Sequence, residues 1–117
     1  GAGSAVSSGK GAEREKIKQK VKEGEEAAVR SYLALVLKEI ERHKYYPPVA
    51  RAMGVEGVEE VRLTFAPSGK LLKVEFLRSS SSLLKKGVIK TLKSCRFPPT
   101  PNGKTLTLKV KVVYRLK

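Results

Sequence analysis

The chain predicts an α+β domain: a three-stranded antiparallel sheet with helices packed on one face. Three observations carry this. Thr105 to Leu116 reads TLTLKVKVVYRL, with Leu106, Leu108, Val110, Val112, Tyr114 and Leu116 on one parity and Thr105, Thr107, Lys109, Lys111, Val113 and Arg115 on the other, the period of a half-buried strand. Two shorter alternating runs flank a Pro–Gly turn, which is the signal of a hairpin. Two apolar stripes at helical spacing lie before and after that hairpin. The order is helix, hairpin, helix, strand, which suits helices segregated to one side of an antiparallel sheet.

The first helix is read from Val29, because Val29, Leu33, Val36, Leu37 and Ile40 recur at helical spacing while Glu39, Glu41, Arg42 and Lys44 fall largely on the other side. It is expected to run to about residue 44, where Tyr45-Tyr46-Pro47-Pro48 stops it, since proline lacks an N–H and drives the preceding residue out of helical geometry. Pro48 suits the first turn of a new, short helix through Val49, Ala50 and Met53, closed by Gly54. Gly57 is read as a bend before the sheet.

Val61, Leu63 and Phe65 alternate with Arg62 and Thr64, and Leu72, Val74 and Phe76 alternate with Lys73 and Glu75. The link Ala66-Pro67-Ser68-Gly69 supplies the turn, and the apolar pattern puts Phe65 and Phe76 on one packed face. Ser79-Ser80-Ser81-Ser82 precedes an apolar-periodic segment and is read as a helix cap. Leu84, Val88, Leu92 and Cys95 form the stripe of that second long helix, with Ile89 beside them and Lys85, Lys86, Lys90 and Lys93 outward, until Phe97-Pro98-Pro99 ends it. A sheet of three strands has two edges whatever its order; a last strand seated beside the first is one of them, and the sequence does not force that choice.

At 117 residues and 40% hydrophobic content, the chain fits one small domain, expected over residues 29–117, preceded by a flexible or partly helical linker over residues 1–28. Gly1 to Gly11 reads as a cloning remnant plus linker, and Glu13 to Glu26 as a solvated helix or tether. The formal charge of +14 is uneven: residues 1–46 hold 10 Lys or Arg against 7 Glu, whereas residues 47–117 hold 15 against 4. That balance favours anionic partners through attraction that salt weakens. A basic nucleic-acid-binding module is therefore an alternative, although the sheet offers no stacking aromatics and no RNA-binding motif.

Catalysis finds little footing. The chain has no Asp, a single His43 and a single Cys95, so a protein-ligated zinc site, an intrachain disulfide and a carboxylate pair for acid–base work are all unsupported. His43 near a helix end suits a solvated cation beside the dipole, and Cys95 on an apolar stripe suits packing. No enzyme, cofactor or metal is expected. No apolar run approaches the roughly 20 residues that span a bilayer.

Taken together, Tyr32-Leu33-Ala34 through Glu41-Arg42-His43-Lys44, Tyr46-Pro47 with Ala50, Gly57, Pro67-Ser68-Gly69, Ser79-Ser80 and Arg96-Phe97-Pro98-Pro99 resemble the C-terminal domain of the TonB family over about Tyr32 to Leu116. The amphipathic helix closing on Tyr-Pro is the most specific piece. Glu59 departs from the family pattern, standing where an apolar strand residue is usual; Lys85 stands where an acidic residue often follows the helix-opening leucine, and Cys95 replaces a common aromatic.

The resemblance implies a periplasmic domain of an inner-membrane-anchored protein that transmits proton-motive energy to outer-membrane receptors importing siderophores, cobalamin or metal complexes. It also implies an ExbB–ExbD proton-channel complex engaged through the missing N-terminal part, and no nucleic acid. In the family an extended receptor segment, the TonB box, adds as a strand to the final β-strand, and the stretch before Tyr-Pro contacts it. Carried over here, the partner-binding residues are His43, Lys44, Tyr45, Tyr46 and Pro47, with Lys109, Val110, Lys111, Val112, Val113, Tyr114 and Arg115. Strand addition gains backbone hydrogen bonds and tolerates varied sequence, and Lys109 and Lys111 both discourage aggregation and attract acidic segments. A homodimer by strand exchange is a further possibility.

Overall fold

The computed structural model describes residues 24–117. The expected linker over residues 1–28 thus falls largely outside the described residues, as does most of the Glu13 to Glu26 tether. Residues 24–43 are helical (α1). A compact unit spans Tyr32–Lys117; residues 24–31, taken by themselves, are an exposed helical stretch apart from the half-buried Ala28 and Val29. Among the described residues no helix is long and apolar enough to cross a membrane.

Within the compact unit the buried stripe of α1 is Tyr32, Val36 and Ile40, at steps of four residues. Leu37, expected on that stripe, is exposed: at about 100° per residue it is turned away from Val36, and Tyr32 takes the inward position instead. The helix ends before Tyr45-Tyr46-Pro47, and α2 (Pro48–Ala52) follows, with Pro48 in its first turn and Ala50 fully buried. Gly54 closes it with φ +69, as the sequence reading expects.

The sheet has the order β2-β1-β3, with β1 (Gly57–Phe65) central and antiparallel to both β2 (Leu71–Ser79) and β3 (Leu106–Tyr114). Both hairpin strands are longer than their alternating cores. Gly57 is the first residue of β1 rather than a bend, and its role is close approach: a Cβ there would collide with the Ser80 side chain. In the hairpin, Gly69 N–H donates to Ala66 carbonyl at 2.8 Å, and Gly69 adopts φ +94, the conformation that favours glycine.

α3 (Ser82–Ser94) is capped by Ser81, whose hydroxyl accepts from Leu83 N–H at 3.2 Å. Leu84, Val88 and Leu92 are buried as expected, but Cys95 is the half-buried residue at the helix end and Ile89 lies on an exposed flank. A turn at Pro101–Gly103 leads into β3.

Helices and sheet enclose one core. Val61, Leu63 and Phe65 of β1 and Leu108, Val110, Val112 and Tyr114 of β3 face it, with α3 and the compact part of α1 above. Phe65 stacks edge-on against Tyr32 and Phe97 at 5.5 and 5.1 Å between centroids. Phe76 shares that face at the rim, under the Lys85 ammonium at 4.9 Å. Glu59, the strand position where an apolar residue is usual in the resembling family, is fully buried. Its carboxylate accepts from Ser79 Oγ and Ser80 N–H, both at 2.6 Å, so the serine run serves two ends, pairing a buried charge and capping α3.

Candidate partner-binding edge

β3 lies at one edge of the sheet, so the direction of each of its backbone groups matters. In an antiparallel pair, residues alternate between those that exchange both hydrogen bonds with the partner strand and those whose N–H and C=O point away. Two contacts fix the phase. Val58 N–H donates to Ser80 Oγ at 2.9 Å and Val58 C=O accepts from the same hydroxyl at 2.6 Å, so Val58 directs its backbone toward β2. The odd-numbered residues of β1 therefore bond to β3, and their partners are Tyr114, Val112, Val110, Leu108 and Leu106. Independently, the Val113 carbonyl accepts from Lys44 Nζ at 2.7 Å, outside the β1 ladder.

Thr107, Lys109, Lys111 and Val113 thus turn their N–H and C=O groups to the open edge. Their side chains are exposed on the sheet face away from the helices, where the Thr107 and Thr64 hydroxyls meet at 3.1 Å. Val110, Val112 and Tyr114, also expected in the site, have their backbone groups in the β1 ladder and their side chains in the core. They anchor the edge to β1 and the core. Arg115 lies just beyond the strand and is exposed, and Leu116 N–H donates to Glu56 Oε2 at 2.6 Å, which ties down the end of the edge.

The two sheet edges differ. The β1–β3 register runs without interruption over nine pairs, from Gly57 with Tyr114 to Phe65 with Leu106. The β1–β2 register shifts twice, between Glu60 and Val61 and between Thr64 and Phe65. Bulges twist and blunt an edge, whereas a continuous ladder leaves a flat template for another strand.

The stretch before Tyr-Pro divides in the same way. Lys44 bridges to the edge: its ammonium sits 2.7 Å from Val113 C=O, 2.8 Å from Glu41 Oε1 and 5.6 Å from the Tyr114 ring centre. Tyr46 packs edge-on against Tyr114 at 5.1 Å, donates its hydroxyl to Val55 C=O and lies under the Arg51 guanidinium at 5.0 Å. Tyr45, by contrast, is held toward α3, its N–H on Thr91 Oγ1 at 2.9 Å and its ring 4.1 Å from Lys90 Nζ. Pro47 packs where a Gly87 Cβ would stand, and His43 Nε2 turns to Glu39 at 3.3 Å. Of the five, only Lys44 and Tyr46 are brought to the edge.

Two residues at this edge were missed from sequence. Thr107 has the outward parity of Lys109 and Lys111, so the period of two carried the signal. Glu56 had none, because its role depends on the distant Leu116.

Little here supports chemistry. Burial, with the Glu39 charge adding to it, pushes the Cys95 thiol up to about 11. Burial also raises the Tyr114 phenol, with the Glu59 and Glu41 charges adding to it. Among the described residues that buried hydroxyl has no hydrogen-bond partner, Thr91 already bonding Gly87 C=O and Tyr45 N–H. Among the described residues no three His, Cys, Asp or Glu come together as metal ligands. Among them, too, the helix-free sheet face carries Arg62, Lys109 and Lys111 but no aromatic ring, which leaves single-stranded nucleic acid nothing to stack on.

Residues 42–116 match the model of the Gram-negative bacterial TonB protein C-terminal family. Among solved structures, the chain is similar to two solution structures of the C-terminal domain of Helicobacter pylori TonB. One (residues 179–285) superposes with a TM-score of 0.65 at 26% identity, covering 74% of this chain and 82% of that one. The other (residues 194–285) gives 0.61 at 26% identity, covering 74% and 95%. No curated protein matches the chain.

Proposed function

Starting from the chain's membership of the Gram-negative bacterial TonB protein C-terminal family, we propose that this domain binds an extended segment of outer-membrane receptors by adding it as a fourth strand to β3. The observation that carries the reading is the uninterrupted β3 edge, with the backbone groups of Thr107, Lys109, Lys111 and Val113 turned outward. A strand laid there gains main-chain hydrogen bonds whatever its side chains, which suits one transducer serving several receptors. Lys109 and Lys111 draw acidic segments to the edge and raise the encounter rate.

On this reading the domain works in the periplasm as the C-terminal part of an inner-membrane-anchored protein coupled to an ExbB–ExbD proton channel. It carries out no reaction of its own. It transmits proton-motive energy by holding the receptor segment while load is applied, with the paired strands sheared along their length so that several hydrogen bonds share the force. The cargo is a siderophore, cobalamin or another metal complex.

The same edge offers two copies a route to strand exchange, opposed by bringing both sets of Lys109 and Lys111 together. Sedimentation over a range of concentrations reads that competition.

The decisive experiment is an NMR titration of the labelled domain with a peptide of a receptor's extended segment. The largest amide shifts are expected at Thr107, Lys109, Lys111 and Val113, with Lys44 and Tyr46 responding. Shifts confined to α3 would sink the proposal.

A further inference from the structure

The opposite edge of the sheet carries a second surface, independent of strand addition to β3. Between β2 and the exposed flank of α3 runs an apolar groove of about 400 Å³, lined by Leu71, Val74, Phe76, Ile89, Leu92 and Lys93. Its floor is deep, Leu92 being 7% exposed, while Val74 and Ile89 stand on its walls at 37% and 40%. Beside it, a shallower depression is lined by Lys86, Ile89, Lys90 and Lys93.

Three features limit what fits there. The first is charge: α3 carries Lys85, Lys86, Lys90 and Lys93 and no acidic residue. Among the described residues none of the four has a carboxylate within ion-pair distance, and Glu75, the acid of β2, is already shared by Arg62 and Lys73. The second is backbone: Glu75 and Lys73 bond to Arg62 and Thr64 of β1, so Val74 between them turns its N–H and C=O to the free edge at the lip of the groove. The third is length: the register shifts leave only Lys73 to Phe76 as a regular stretch.

We propose that this groove binds a short, extended, acidic segment of another protein, one that carries bulky apolar residues and carboxylates on the same face, at every second position. The apolar side chains enter between Val74 and Ile89, the backbone pairs with Val74, and the carboxylates meet Lys85, Lys86 and Lys93. A second copy of this chain is a poor occupant, because it brings the same lysines with a formal charge of +14. A bilayer is also a poor one, because the apolar surface is recessed and a membrane needs it to protrude.

The test titrates the labelled domain with an acetylated nonapeptide carrying glutamate, leucine, phenylalanine, leucine and glutamate at its odd positions with threonine between, alongside the same peptide with lysine for glutamate. Saturable shifts are expected at Val74, Phe76, Ile89 and Leu92 with the acidic peptide and not with the basic one. Ile89→Asp, at a half-exposed wall position, is expected to weaken binding at least tenfold, roughly the cost of presenting a charge to an apolar contact. Should that variant fail to fold, Lys85→Glu with Lys93→Glu is expected to exchange the preference between the two peptides. Lys111→Pro is expected to leave groove binding unchanged while weakening strand addition at β3 roughly 30-fold, so the two sites fail separately. The proposal is overturned if the acidic peptide shifts only residues 107–113, if neither peptide saturates by about 1 mM, if only vesicles containing phosphatidylglycerol bind, or if the same shifts arise from raising the domain concentration alone.

Discussion

A matched pair of proline substitutions tests whether the outward groups of β3 carry recognition. The Lys111 amide faces the open edge and its side chain is exposed, so Lys111→Pro removes a donor that the free domain leaves to water. The expected loss of domain stability is below about 1 kcal/mol, since proline is tolerated on edge strands with its nitrogen outward. An added strand, however, loses one backbone hydrogen bond, about 0.5–1.5 kcal/mol net, and meets the proline ring where its own carbonyl should lie. A combined cost of about 2 kcal/mol corresponds to roughly 30-fold weaker binding.

Val110→Pro is the converse. Val110 is buried, opposite Val61, and its amide lies in the β1 ladder, so the expected cost is about 3 kcal/mol or more. For a unit of this size each 1 kcal/mol lowers Tm by about 4–8 °C. Calorimetric titration with a receptor-segment peptide and thermal unfolding by circular dichroism give both readouts. Wild-type affinity in Lys111→Pro would refute the reasoning, and a loss of stability as large as that of Val110→Pro would show the phase of the ladder to be inverted.

Three further outcomes are expected. Glu59→Ala leaves the Ser79 hydroxyl and the Ser80 N–H without their buried acceptor; chemical denaturation should read a loss of about 2–4 kcal/mol, with Glu59→Gln retaining part of it. Lys44→Met releases the Val113 carbonyl at a cost within about 1 kcal/mol, and hydrogen exchange in the peptide complex should extend protection by one residue pair at that end of β3. The Cys95 thiol stays protonated in the fold up to about 11 against an ordinary value of 9.0. The folded state therefore holds the extra proton between those values: this contribution is intact below pH 9 and is lost as pH rises from 9 to about 11. Urea midpoints across that range should decline less steeply in Cys95→Ala.

Local signals carried most of the fold. The alternation of Thr105 to Leu116, the Pro–Gly turn before Lys70 and the serine cap of α3 are each written within a dozen residues, and each is present in the structure. What escaped depends on pairings distant in sequence. Glu59 looks misplaced until Ser79 and Ser80 arrive from the far end of β2, and Gly57 looks like a bend until Ser80 crowds it. Leu37 and Ile89 fit a helical period but sit on its margin, where a rotation of one residue decides burial. The candidate site was half legible for the same reason. Parity identifies which residues of β3 share a face, but strand order and the Val58–Ser80 contact are needed to say which backbone groups face outward.

The unequal edges of the sheet give the domain a definite valence. A sheet with two flat edges is a bifunctional monomer, able to join at both ends and grow into a chain of sheets. Here the β1–β3 ladder is unbroken along its length while that of β2 is broken by two register shifts that leave only Lys73 to Phe76 regular. In the language of polymer chemistry the domain has one full valence, at β3, while the short regular stretch of β2 can hold a short segment but is too short to template another sheet. That is how a protein can keep a sheet edge permanently open to partners without propagating into a fibre.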